Sequence, residues 1–93
     1  MSTPLVGHNA ALHRYETTVD GHLAIAEYIL DGDRMVFTHT FVPPELRGRG
    51  IAELLVRTAL DAALAAHRRV VPQCSYVARF IDRHAEYQPL LAE

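Results

Sequence analysis

Six consecutive residues, Arg47-Gly48-Arg49-Gly50-Ile51-Ala52, set two guanidinium groups and two glycines directly ahead of an apolar run. Glycine lets the backbone approach a ligand with no Cβ in the way, and arginine adds charge and forked donors. If the apolar run is a helix, its first turn supplies free N–H groups and the positive end of the macrodipole, which together form an anion site. A diphosphate best matches that layout. Three other groups could do chemistry. His39 precedes the loop and titrates near neutrality. Cys74 is the single cysteine, and a thiol near a helix start ionises more readily than a free one. Tyr76 follows two residues later with a phenol. Each also has a purely structural reading: a buried imidazole held by a carbonyl, a buried thiol, a tyrosine packed into a core.

The surrounding elements decide how such groups are placed. Residues 1–12 show no sustained period and read as a loose arm, leaving 13–93 as a single domain. "RYETTV", "HLAIAEYIL" and "RMVFTHTFV" read as strands joined by tight turns at Asp20-Gly21 and Asp31-Gly32-Asp33, which makes an antiparallel meander. Strict alternation along the third strand puts Met35, Phe37, His39 and Phe41 on one face and Val36, Thr38, Thr40 and Val42 on the other. Pro43 and Pro44 end it, since proline has no N–H for the ladder.

A helix opens near Gly48 to Gly50, with Ile51, Leu54, Leu55, Thr58, Ala59, Ala62 and Ala66 at helical spacing. "RRVVPQ" is a short strand. Ser75 is the expected N-cap of a second helix whose face is Val77, Phe80, Ile81 and His84, and Pro89 stops the tail. The order β-β-β-α-β-α predicts an α+β fold, a mostly antiparallel sheet of about four strands with two helices packed on it.

Two phosphate motifs fail on this chain. The Walker loop needs four residues between its glycines and a Lys-Ser or Lys-Thr pair, and no lysine is present. In the dinucleotide fingerprint Glu53 would stand at the third glycine, and the strands here are antiparallel. What remains, "RGRGIA", fits the Arg/Gln-x-x-Gly-x-Gly/Ala signature of the GNAT acetyltransferases. The stretches "THTFVPPELRGRGIAELLVRTALDAA" and "VVPQCSYVARFIDRHAEYQPLL" extend the likeness, and the chain resembles the small single-domain GNAT branch over about Arg14 to Leu91. One departure is Ala85, where relatives commonly carry proline.

The resemblance implies a reduced GNAT fold and an acetyl-CoA-dependent N-acetyltransferase. Acetyl-CoA would be the cofactor and an unidentified amine, on a protein or a small molecule, the acceptor. The backbone of Phe41 and Val42 would bind the pantetheine arm as a further strand, and Arg47, Gly48, Arg49, Gly50, Ile51 and Ala52 would hold the pyrophosphate. Transfer needs a deprotonated amine, a stabilised oxyanion and a protonated leaving thiolate. His39 is then the candidate base. Cys74 is either an acetyl-accepting nucleophile or a lining of the cofactor channel, and Tyr76 is the candidate acid. The chief alternative is a CoA-binding or protein-interaction module with little catalysis; another is a plain anion-binding domain.

Bulk properties narrow the partners. The formal charge of −2 disfavours a general nucleic-acid or membrane-surface binder, which gains from net positive charge. Hydrophobic residues at 49% and charged ones at 22% are globular values, enough for a monomer or small homo-oligomer. His84, Glu86 and Tyr87 lack metal-ligand spacing and read as packing, so no metal is expected, and the remaining histidines read as solvated surface. A lone cysteine and the lack of a long apolar run point to the cytoplasm.

Overall fold

The computed structural model describes residues 3–91; residues 1, 2, 92 and 93 of the expected arm and domain lie outside that range. The chain runs β1 (Gly7–Asn9), β2 (Arg14–Val19), β3 (His22–Asp31), β4 (Arg34–Phe41), a 3-10 turn (Pro44–Leu46), α1 (Ile51–Ala65), β5 (Arg69–Pro72), α2 (Ser75–Arg83) and a second 3-10 segment (Ala85–Leu90). The α+β architecture is as expected, but the sheet has five strands in the order β1-β2-β3-β4-β5. The additional strand is β1, which falls within the segment expected to be loose: Gly7 to Asn9 pair antiparallel with Arg14 to Glu16. Three residues are too few to show a period in sequence.

The first four strands form an antiparallel meander, whereas β4 and β5 run parallel and are joined across α1. Tyr15, Ala24, Ala26, Tyr28 and Phe37 of the sheet share one buried cluster with Ile51, Leu55, Val56, Ala59 and Leu60 of α1 and with Val77, Phe80 and Ile81 of α2. The opposite sheet face leaves Leu23, Ile29 and Phe41 exposed. The buried stripe of α1 is rotated from the expected one: Val56, Leu60 and Ala63 face inward, while Leu54, Thr58 and Ala62 are half-buried and Ala66 is exposed. A helix leaning across a twisted sheet follows the surface it covers, which its own periodicity does not specify.

Strand β4 breaks its alternation. Glu27 pairs with His39, but the next residue of β3, Tyr28, pairs with Phe37, so Thr38 is an extra residue in β4 and forms a bulge. Met35 and Phe37 point into the core, and beyond the bulge the phase reverses. Thr40 then turns inward opposite buried Ala26, while His39 and Phe41 turn outward and are exposed. His39 therefore does not share the Met35 and Phe37 face as strict alternation predicts.

The C-terminal segment is stitched to α1. Tyr87 is 2% exposed, and its hydroxyl donates to Asp61 Oδ1 at 2.7 Å. Arg57 bonds Glu53 at 3.3 Å and approaches Glu86 at 3.8 Å, and its guanidinium lies over the Phe80 ring at 5.4 Å. His84 stacks on the same ring at 4.0 Å. Pro89 sits inside the 3-10 segment and does not stop it.

Burial, and then the Asp61 carboxylate, push the Tyr87 phenol from 10.0 up to about 12. The folded state thus holds this proton more tightly than the unfolded one. The stability it contributes is whole below pH 10.0 and is lost as pH rises through about 12. Tyr87→Phe should cost about 1 kcal/mol at neutral pH, as one hydrogen bond does. In denaturant titrations, the gap between the two proteins should hold up to pH 10.0 and close toward about 12; a gap that widens there would contradict this assignment.

Candidate functional site

The site begins where the sheet opens. β5 accompanies β4 only from Arg34 to Phe37, with Pro72 as its last partner. The chain then turns away, and the Cys74 N–H donates to the Phe37 carbonyl at 2.9 Å. Thr38 to Phe41 therefore have no β5 partner, and their edge faces the gap between the two strands. Such an edge can pair with an extended ligand.

Cys74 lies at the apex of this gap, half-buried, as the N-cap residue of α2. Ser75, the expected cap, is the first helical residue. The thiol lies 3.6 Å from the Thr40 hydroxyl. Burial raises its pKa, but the Val77 N–H, the Thr40 hydroxyl and the N–H groups of Tyr76 and Thr40 outweigh it and bring the thiol below its ordinary value. These donors stabilise a thiolate at the helix start. Thr40 has no place among the sequence candidates, because only the bulge brings it to this face.

His39 and Tyr76 are placed differently. His39 lies on the outer sheet face, with its ring 6.4 Å from that of Phe41. Its cross-strand neighbour is Glu27. Tyr76 presents its backbone N–H to the thiol, but its phenol lies in the groove between the helices. Burial raises its pKa, followed by the nearby Glu53 carboxylate, while Arg83 opposes the rise. The strand carries the imidazole and the thiol to separate faces, and it is Thr40 and Cys74 that are brought together.

The loop from Arg47 to Ala52 closes the other end. Gly48 and Gly50 adopt φ of +83° and +74°, which side-chain-bearing residues rarely do. A Cβ at either would meet no heavy atom within 4 Å, so the constraint is the backbone conformation and the space above it is open. Gly50 is the N-cap of α1 and no side chain caps that helix. The N–H groups of its first turn are thus bonded by no capping side chain, while Leu54 N–H begins the helical ladder on the Gly50 carbonyl. A cavity of about 260 Å³ joins the loop to Val42, Ala52 and Tyr76.

The remaining expected contacts are partly engaged within the protein. Phe41 ends β4 opposite Ile25, and the Val42 carbonyl accepts from Arg47 Nε at 3.2 Å. Arg49 reaches back to Asp20 at 2.9 Å, an exposed pair of small energetic weight. Ile51 is buried in the core and Ala52 lines the cavity. Uncapped donors, open space and an exposed arginine suit an anion. Among the described residues no cluster of side chains could hold a metal ion, and no helix is long and apolar enough to cross a membrane.

Comparison with known proteins agrees with this geometry. The profile of the GCN5-related N-acetyl-transferase family matches residues 14–90. Protein NATD1 of Bos taurus is 38% identical over 66 residues, covering 70% of this chain and 57% of the relative, so the chain spans little more than half of that protein. The NMR solution structure of a GCN5-like protein from Staphylococcus aureus superposes with a TM-score of 0.76 at 21% identity, over 99% of this chain and 91% of the other, and so shares its fold. With the family profile running through most of the domain, from the second strand to the C-terminal 3-10 segment, the protein belongs to the GCN5-related N-acetyltransferase family.

Proposed function

We propose that the protein binds acetyl-CoA and transfers its acetyl group to an amine. The observation that carries the reading is a pair of neighbouring features: the edge from Thr38 to Phe41 that β5 leaves unpaired, with the Cys74 thiol at its apex, and a cavity from Val42 and Tyr76 to the start of α1, which no side chain caps. Acetyl-CoA supplies an activated thioester. Arg47, Gly48, Gly50 and Ala52 would hold its diphosphate, and the β4 edge, with Phe41 and Val42, would hold the arm between diphosphate and thioester.

Cys74 is the reacting side chain at the apex in this reading. Its thiolate is held by the Thr40 hydroxyl and by N–H groups of Thr40, Tyr76 and Val77, which also form a cluster of donors suited to developing negative charge. His39 lies on the outer face, apart from the thiol, so its role as base is weaker than the sequence suggested. The phenol of Tyr76 belongs to the groove wall, so its acid role is weaker than the sequence suggested. The family resemblance supports the amine as acceptor class.

Calorimetry with acetyl-CoA, CoA, ATP and NAD tests the ligand. A clear preference for the CoA pair is expected, and Arg47→Gln and Gly50→Val should each weaken that binding by about tenfold, the weight of one charge-assisted contact or one strained backbone position. Equal binding of all four ligands would end the proposal.

Thiol chemistry tests Cys74. The pH midpoint of its alkylation should fall below the ordinary 9.0 and rise in Thr40→Val. Cys74→Ala should leave CoA affinity intact and lower turnover, while mass spectrometry of the wild type incubated with acetyl-CoA should find acetyl on Cys74. Full turnover in Cys74→Ala would remove it from the reaction and favour a binding module with little catalysis.

A further inference from the structure

The groove at the loop does not end at Glu53. Glu53 and Tyr76 line both the loop cavity and a second one of about 370 Å³, which lies between α1 and α2 and is walled by Arg79, Phe80, Arg83 and His84. The two cavities are neighbours that share these two walls. The two cations of the second differ from the ion-paired arginines of the chain. Arg14, Arg49 and Arg57 are each ion-paired with a carboxylate, whereas Arg79 and Arg83 have no such partner among the described residues. Both are exposed, and four residues apart on α2 they point from the same side of the helix.

The rest of the wall fits an anionic, partly aromatic ligand. Phe80 is covered on its faces by His84 at 4.0 Å and by Arg57 at 5.4 Å, which leaves Tyr76, 37% exposed, as the open aromatic surface at the junction. Glu53 is the acidic group of the wall, and its carboxylate is bonded to Arg57. From Tyr76 to Arg83 the helix advances about 10 Å, the breadth of a nucleoside with a phosphate on it.

We propose that Arg79 and Arg83 bind the 3′-phosphate of coenzyme A, so that α2 selects the coenzyme over its 3′-dephospho form. This rests on the coenzyme reading above. In it the diphosphate lies on the loop, and the 3′-phosphate, which branches from the attached ribose, is the one anion left without a donor. The neighbouring cavity offers two arginines free to meet it bidentately.

Calorimetry of the full chain at low salt, with coenzyme A and with 3′-dephospho-coenzyme A as separate probes, decides the matter. The wild type should bind coenzyme A at least about tenfold more tightly, and the preference should shrink as salt is added. In the Arg79→Gln/Arg83→Gln double variant the preference should vanish, while affinity for the dephospho form stays within about twofold of wild type. Each single variant should lose part of it. Equal affinities in the wild type, or an equal loss for both ligands in the double variant, would overturn the assignment while leaving coenzyme binding intact. Failure of both ligands to bind the wild type would overturn the coenzyme reading and this assignment with it.

Discussion

The hydrogen bond from Cys74 N–H to the Phe37 carbonyl marks where two strands stop being neighbours. Below it, β4 and β5 run as a parallel pair from Arg34 to Phe37; above it, β4 has an open edge. Unpaired backbone groups are costly when buried and useful when a ligand can reach them. The bulge at Thr38 lies just past this point. It turns Thr40 toward Cys74 and rotates His39 away, so one extra residue in a strand decides which side chains line the gap.

The arginines show how the same side chain is put to different work by its surroundings. Arg57 is held by Glu53 and Tyr87 over the Phe80 ring and ties α1 to the C-terminal segment. Arg49 joins the loop to the β2–β3 turn through Asp20. Arg47, by contrast, lies exposed beside the open cradle of Gly48 and Gly50, with one bond to Val42. A chain with no lysine relies on guanidinium for all of this, and its planar fork suits both carboxylates and phosphates.

The C-terminal motif His84-x-Glu86-Tyr87 is structural in the same sense. Its residues close over the outer flank of α1 by ring stacking, an ion pair and the Tyr87 to Asp61 bond. This holds α2 against α1 and so fixes the width of the groove between them. A small domain with one helical layer has little other buried area with which to set that distance.

Much of the fold was legible because it is local. The Asp20-Gly21 turn, the two prolines after β4, the inward face of Val77, Phe80 and Ile81, and the glycine-rich opening of α1 each follow from φ restrictions, missing donors or side-chain period. The sequence alone determined that a glycine-rich loop opens a helix after a strand, and that one thiol stands at the next strand-to-helix junction. Tertiary structure decided the rest. A bulge depends on which residue of a partner strand is opposite, so the face taken by His39 and Thr40 could not be read from period alone. The inward stripe of α1 depends on how that helix crosses a twisted sheet. The splay between β4 and β5, with the thiolate-stabilising donors gathered at its apex, exists only once strands distant in sequence are paired and then parted.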